Sequence, residues 1–270
     1  MRCDLPSLMK TDIKRLQSVV LIMLTLVLSV TSMKSTATTT VVKVGAGIRP
    51  PFLIYKHSGM GPEIISALNL VQDKFTFELV PVPISRRVQS LNDGWVDIVM
   101  WDNIHWGWDG MTLTVSKPIL RSKDVFISHA HPEKSQAFFN DFTGKRICGV
   151  SGYHYKFLGF ETNYHAVKDR FNIRLVRTEE ESIEMAMQKR CDISVVSESA
   201  LNWFFKLFPH TRNDMLVSTI YDTQYTRNFL LPLNAPITAN EIDSIVNQAS
   251  EQGLLVPIYE KYGQSLPIEK

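Results

Sequence analysis

Residues 41–101 read VVKVGAGIRPPFLIYKHSGMGPEIISALNLVQDKFTFELVPVPISRRVQSLNDGWVDIVMW. The order of apolar runs and helix-period segments in this stretch decides the fold class. Residues 41–46 are a β-rich run, broken by Gly47-Ile48-Arg49-Pro50-Pro51-Phe52. Over 62–73, Ile65, Leu68 and Val71 recur at helical spacing. Residues 75–82 alternate as a strand and are stopped by Pro81 and Pro83. Residues 85–93 read as a helix ended by Gly94, and 96–101 as an apolar strand. The order β-α-β-α-β calls for a parallel sheet covered by helices, because parallel neighbours need a crossover and a helix supplies it.

Working outward, 102–117 is a Trp- and Gly-rich connection and 124–128 a further strand. The same grammar then returns. Residues 146–150 form a strand, Gly152 a turn, and the chain reads as helical to about Arg170. A strand over 172–177, a helix over 179–189, a strand over 192–196 and a helix over 198–208 follow. The C-terminal end adds a strand over 226–233 and a helix over 239–252, with Thr238 as N-cap and Gly253 as stop. A short helix over 254–262 closes the chain, with Pro257 in its first turn, where Pro is tolerated. This tail contains no third sheet, so it must pack on one of the two β-α-β-α-β units.

Composition agrees with two globular cores. Of 270 residues, 44% are hydrophobic and 21% charged, which excludes a disordered chain, a collagen-like repeat and a coiled coil. The net charge of +2 is too small for a nucleic-acid partner. Residues 1–37 hold five basic residues (Arg2, Lys10, Lys14, Arg15, Lys34) against Asp4 and Asp12, leaving 24 basic and 25 acidic residues over 38–270.

The N-terminus reads as an export signal. Residues 19–30 (VVLIMLTLVLSV) follow a basic stretch and precede Ser35-Thr36-Ala37. Basic region, short apolar core and small-x-small site are the parts of a secretory leader. The run is shorter than the roughly 20 apolar residues that span a bilayer. Cleavage after Ala37 is expected, with Met9 as an alternative start. Cys3 precedes the apolar run, so it is not a lipidated cysteine. The mature chain is expected in the periplasm.

No Gly-x-Ser-x-Gly, Cys-His pair, phosphate loop or zincin motif occurs in the sequence. No enzyme, catalytic residue or cofactor is therefore expected. No metal is expected either, since His105, His154 and Asp102 lack any paired ligand motif.

Several pieces, in order, resemble the family 3 extracellular solute-binding proteins, the periplasmic amino-acid-binding type. They are Val41-Val42-Lys43-Val44-Gly45; Pro50-Pro51-Phe52; Gly61-Pro62-Glu63-Ile64; Arg86 eight residues before Gly94; Gly94-Trp95-Val96-Asp97; and Ser116-Lys117-Pro118. In the second half they are Gly144-Lys145-Arg146, Val150-Ser151-Gly152-Tyr153 and Cys191-Asp192-Ile193-Ser194-Val195-Val196. The tail, Glu251-Gln252-Gly253-Leu254-Leu255 through Tyr259-Glu260-Lys261-Tyr262-Gly263, is the most recognisable.

The resemblance implies an α/β fold of two lobes joined by two crossings, closing on a ligand. Lobe one would be 38–127 plus 222–270, and lobe two 128–221. It implies a periplasmic binding protein, monomeric, that captures a small polar metabolite and delivers it to an ABC-type permease. A stand-alone sensor for an inner-membrane signalling partner is the alternative, and an enzyme on the same fold the third.

In open α/β sheets the ligand lies beyond the carboxyl ends of the strands. Those ends supply the candidate ligand-binding residues Arg49, Phe52, Arg86, Trp101, Asp102, Trp106, Tyr153, His154, Ser197 and Glu198. Arg86 is expected at the cleft, with Arg87 facing elsewhere. The departures from the family matter. Its amino-acid-binding members place a carboxylate-clamping Arg after the third strand, yet no Arg lies between Ile98 and Leu120. They place an Asp after the last strand of lobe two, where this chain has Ser197 and then Glu198. Both recognition charges for a free α-amino acid are missing or moved.

Cys148 and Cys191 are expected as free buried thiols. They fall on the first and third strands of the second unit, four and seven residues below the rim. An offset of three residues is about 10 Å along a strand, beyond the roughly 7 Å that a disulfide allows.

The leader generates a first prediction: protein recovered from the periplasm should begin near Thr38 by N-terminal sequencing. Residues 1–37 found intact there would overturn the leader reading.

Overall fold

The computed structural model describes residues 39–55, 57–168 and 170–267; the leader and the choice between Met1 and Met9 lie outside them. β1 (Thr40–Gly47) is the first strand of a sheet whose crossovers are α1 (Met60–Leu70) and α2 (Arg87–Asn92). β1 pairs in parallel with β2 (Phe75–Val82) from Thr40↔Phe75 to Gly47↔Val82, and with β3 (Ile98–Asp102) at Val44↔Ile98. This is the β-α-β-α-β unit expected from residues 41–101.

After the short β4 (Leu113–Val115), β5 (Leu120–His129) leads into the second unit. There β6 (Ile147–Val150) runs parallel to β7 (Ile173–Val176) and to β8 (Ile193–Ser197). The helices of this half are α3 (Tyr164–Val167), α4 (Glu179–Met187) and α5 (Glu198–Leu207). β9 (Met215–Pro232) returns the chain, and α6 (Ala239–Glu251) and α7 (Leu255–Lys261) finish it.

The strand order is β2-β1-β3-β9-β5-β8-β6-β7, with β4 also on β9. Each trio is thus ordered second-first-third, and the two trios are joined by the antiparallel pair β5 and β9. That pair runs from Leu120↔Arg227 to His129↔Met215. These two strands are the two crossings, and the fold is the two-lobed α/β arrangement. The expected lobe limits at 127/128 and 221/222 fall inside β5 and β9.

Each lobe has its own core. Val42, Val44, Phe77, Ile98 and Met100 meet Ile64 and Leu68 of α1. The tail supplies Ile242, Ile245 and Tyr259 to the same cluster, so it covers the first lobe. In the second lobe, Phe126, Phe139, Ile147, Tyr155 and Val195 fill one face of the sheet. Val125, Ile127, Ile183, Val196 and Phe204 fill the other. Thr238 caps α6 as expected: its side chain accepts from Glu241 N, and Glu241 answers by accepting from Thr238 N. Gly253, at φ 73°, ends the helix.

Two expectations fail locally. Among the described residues, the stretch to Arg170 holds only a 3₁₀ turn at Lys156–Leu158 and the single-turn α3. Gly159 and Phe160, at φ 70° and 63°, break it. Its aromatic residues serve a ring cluster instead, with Phe157 beside Phe126, Phe142 and Phe171. The strand expected to begin at 226 begins at Met215, because Ser218, Thr219, Asp222, Thr223 and Gln224 conceal the strand pattern of its first half.

The cysteines require a correction. Cys148 and Cys191 are joined in a disulfide, with Cα atoms 5.9 Å apart. The register is the one counted from sequence, since Cys148 lies opposite Ser194, three residues beyond Cys191. The error was to extend β8 back to Cys191 as a straight strand. β8 begins at Ile193. Residues 188–191 instead form a turn after α4, with Lys189 at φ 59°. Arg190 N and Cys191 N both donate to Met185 O, which folds Cys191 back over Cys148.

The loop closed by the bridge spans 43 residues, worth about 4 kcal/mol of unfolded-state entropy. The double variant Cys148→Ala/Cys191→Ala should lose about that much in urea unfolding. Titration of the denatured, unreduced chain should find no free thiol at either position; two would remove the bridge.

Candidate functional site

The carboxyl ends of β1, β3 and β6 meet the middle of β5 and β9 in one cleft. Its lining includes Arg49, Arg87, Trp101, Asp102, Trp106, Asp124, Tyr153, His154, Tyr225 and Arg227. The enclosed volume is about 60 Å³. A more open cavity of about 830 Å³ adjoins it and shares Trp106, His154 and Tyr225 as a wall.

The turn after β1 places Arg49. Arg49 N donates to Leu53 O at 2.8 Å and Phe52 N donates back to Arg49 O at 2.9 Å. The guanidinium therefore sits 5.3 Å from the Phe52 ring and 5.9 Å from that of Tyr153. Phe52 itself is buried and stacks on Trp101, centroids 4.9 Å apart. Trp101 holds φ 64°, a left-handed conformation that costs a bulky residue on the order of 1–3 kcal/mol. Its indole packs into the first-lobe core while its carbonyl faces the arginines. That oxygen accepts from Arg49 Nη2 at 3.4 Å and from Arg227 Nη1 at 3.0 Å.

Arg227 is 1% exposed. Its guanidinium carbon lies 5.0 Å from the Phe52 ring, 4.8 Å from Trp106 and 5.1 Å from Tyr225. Neither Arg49 nor Arg227 forms an ion pair among the described residues. A tyrosine stands between each of them and a carboxylate. Arg49 Nη1 reaches Tyr153 Oη at 3.5 Å, which donates to Glu179 Oε2 at 3.2 Å. Arg227 Nη2 reaches Tyr225 Oη at 3.4 Å, which donates to Asp124 Oδ1 at 2.8 Å. The Nε atoms of both arginines are buried with no partner.

Arg87 is arranged differently. Its Nε is 2.9 Å from Asp102 Oδ2, and its Nη atoms donate to Ile84 O and Trp106 O. It fixes the loop that carries Trp106. Burial, then the Arg87 charge, lowers the His154 pKa, so the ring is neutral at neutral pH. Burial, then the Glu179 charge, raises that of Tyr153 and keeps it a hydroxyl. Burial, then Glu179, pushes the Asp124 carboxyl up to about 7, against the opposing pull of Tyr225 and Arg227.

Six expected residues come together at the cleft: Arg49, Trp101, Asp102, Trp106, Tyr153 and His154. Four do not line it. Phe52 lies behind both guanidinium groups. Arg86 is exposed outside, and Arg87 takes the cleft position that the sequence reading gave to Arg86. The Ile84–Arg86 turn is 3₁₀ and α2 starts at Arg87, so the change of helix type shifts the phase by which consecutive arginines face inward. Ser197 is the buried N-cap of α5, its Oγ accepting from Ala200 N at 3.2 Å. Glu198 lies 3.2 Å from Lys123 Nζ. Glu179 accepts from Ser197 N at 2.6 Å and from Tyr153 Oη at 3.2 Å, behind the Tyr153 wall.

Sequence reasoning missed Asp124, Tyr225 and Arg227. The available signal was a charged residue heading the apolar run Phe229-Leu230-Leu231 and an Asp opening the strand Val125-Phe126-Ile127.

Asp124 generates a pH prediction. Its folded pKa, about 7, exceeds the ordinary 3.8. The associated stability is complete below pH 3.8 and lost as pH rises through 7. At 1.36 kcal/mol per pH unit, wild type should lose about 2–3 kcal/mol relative to Asp124→Asn between pH 5 and 8. Urea unfolding at the two pH values checks this; a constant difference between the proteins would count against the buried, titrating carboxyl.

No protein-family model matches the chain, and no curated protein matches its sequence. Solved structures do match in fold. The GluR0 ligand-binding core from Nostoc punctiforme, in complex with L-glutamate, superposes with a TM-score of 0.64 at 15% identity, covering 82% of this chain and 98% of that one. An ABC uptake transporter substrate-binding protein from Streptococcus pneumoniae with bound histidine gives 0.64 at 14% identity, covering 85% and 95%. The ancestral amino-acid-binding protein AncCDT-1, a precursor of cyclohexadienyl dehydratase, gives 0.60 at 18%, covering 83% and 96%. At these identities the likeness establishes the architecture: this chain has the two-lobed fold of ligand-binding cores and substrate-binding proteins.

Proposed function

We propose that the protein is a periplasmic solute-binding protein that captures a small polar metabolite between its lobes and delivers it to an ABC-type permease. One observation carries the reading: Arg49 from the first lobe and Tyr153 from the second meet across an enclosed cleft that contains unpaired, buried guanidinium nitrogens. Each unmet donor costs about 1–3 kcal/mol, and here two fall on neighbouring guanidinium groups at one cleft. A site that awaits a ligand would leave them unmet.

In this reading lobe one is 38–127 plus 222–270 and lobe two is 128–221, each moving as a body. The hinge is the β5 and β9 pair, whose register shifts between Lys123 and Val125 and again between Val125 and Ile127. Residues 1–37 export the chain, which works as a monomer. Among the described residues no helix is long and apolar enough to cross a membrane.

A second reading is a sensor that passes ligand occupancy to an inner-membrane signalling protein; the GluR0 structure of the same fold is a ligand-binding core. The enzyme reading has less support, although one similar structure is a dehydratase precursor. The acid–base pair it would need, Glu198 with His154, is split, since Glu198 pairs with Lys123 outside the cleft.

Small molecules released by denaturing the purified protein should include one species in stoichiometric amount by mass spectrometry. Adding that species back should lower the radius of gyration in X-ray scattering. An unchanged radius at saturation would refute lobe closure.

A further inference from the structure

Two arginines, Arg49 half-buried and Arg227 buried, specify the chemistry of the ligand beyond its being small and polar. Arg49 and Arg227 together carry ten N–H donors. The protein satisfies them with four hydrogen bonds, three of them at 3.4–3.5 Å. Both Nε atoms are left without a partner in the cleft wall. The two groups also reach the same oxygen, Trp101 O, so two like charges sit side by side. An anion placed between them would supply the missing acceptors and offset that repulsion.

The same cleft has nothing ready for a cation. Asp102 is taken by Arg87 Nε at 2.9 Å, Asn103 N at 2.8 Å and Trp108 Nε1 at 3.1 Å. Asp124 accepts from Tyr225 at 2.8 Å and from Thr223 Oγ1 at 3.1 Å. Glu179 is closed off by Ser197 N at 2.6 Å and Tyr153 at 3.2 Å. An α-ammonium group would therefore lose its water and face guanidinium charge with no free carboxylate. The aromatic faces of Trp106, Tyr153 and Tyr225 leave room for an apolar or hydroxylated body beside the head group.

We infer that the cleft binds a small organic carboxylate that lacks an α-ammonium group, seated between Arg49 and Arg227. This rests on the solute-binding reading and narrows it. The pairing differs from the single clamp after the third strand that the resembled family uses, since one arginine stands on the turn after β1 and the other on the second crossing strand.

The test uses matched acids on the mature protein: L-lactate with L-alanine, 2-hydroxyisovalerate with L-valine, 3-phenyllactate with L-phenylalanine, and inorganic phosphate, all as sodium salts at equal ionic strength. Thermal midpoints should rise with at least one hydroxy acid. Calorimetry should then give that acid an affinity about tenfold or more above its amino partner. Arg227→Met and Arg49→Gln should each weaken it by about tenfold or more. If Arg227→Met does not fold, Arg49→Gln, on a half-buried side chain, decides alone. An amino acid binding as tightly as its hydroxy partner overturns the inference and leaves the solute-binding reading standing. Phosphate binding more tightly than every carboxylate, no response to any acid, or full affinity in both variants also overturns it. The binding reading itself is decided separately, by the molecule released from the native protein.

Discussion

A guanidinium that is 1% exposed and has no carboxylate beside it constrains everything around Arg227. Removing such a charge from water costs several kcal/mol even after the protein relaxes. The chain offsets the cost with three aromatic faces within about 5 Å, one carbonyl, and Tyr225, and it stops short of an ion pair. Each of those supports is itself placed by fold. Phe52 comes from the turn after β1, the Trp101 carbonyl from a left-handed residue at the end of β3, and Trp106 from a loop held by Arg87. The intervening tyrosine keeps the Asp124 carboxylate close enough to stabilise the charge and too far to consume it.

The same construction appears on the other side, where Tyr153 separates Arg49 from Glu179. There the spacer does a second job, because Arg49 and Tyr153 belong to different lobes. Their 3.5 Å contact is long for a hydrogen bond, so opening the cleft gives up little. In the proposed closure, a ligand bridging the two lobes would decide the balance between open and closed forms by its own contacts, as population shift requires. Glu179 is fixed independently, by Ser197 N at the start of α5, so the second-lobe wall keeps its geometry whether or not Arg49 is near.

Much of this was legible in sequence and some was not, for physical reasons. The β-α-β-α-β order could be read because strands buried on both faces and their covering helices leave strong patterns in residues 41–101 and in the second unit. Arg49, Trp101, Asp102, Trp106, Tyr153 and His154 could be placed because ligand sites in such sheets gather at the carboxyl ends of parallel strands. Arg227 and Asp124 could not be found by that rule. They sit in the middle of antiparallel crossing strands, which approach the cleft sideways, and half of β9 reads as polar loop. Arg86 against Arg87 was a question of helical phase, settled by a 3₁₀ turn that leaves no pattern of its own. The disulfide was missed although its register was right, because a turn of the chain before β8, and not the strand itself, carries Cys191.

That disulfide also braces the second wall of the cleft. Cys148 and Cys191 lie in one buried cluster with Val150, Val176 and Met185, and Tyr153 packs against it. The bridge ties the turn before β8 to the middle of β6, two residues before the strand ends and five before Tyr153. Tyr155 adds a second tie from below, accepting from Val150 N at 2.8 Å and donating to Val195 O at 3.5 Å. Tyr153 therefore stands on covalently braced strands, and Arg49 on a turn closed by its own backbone bonds. Between them lie β5 and β9, whose pairing is interrupted at Lys123 to Ile127. These braced walls and the interrupted pairing suit the proposed closure, which would change the angle between the lobes and leave the cleft-lining groups in place.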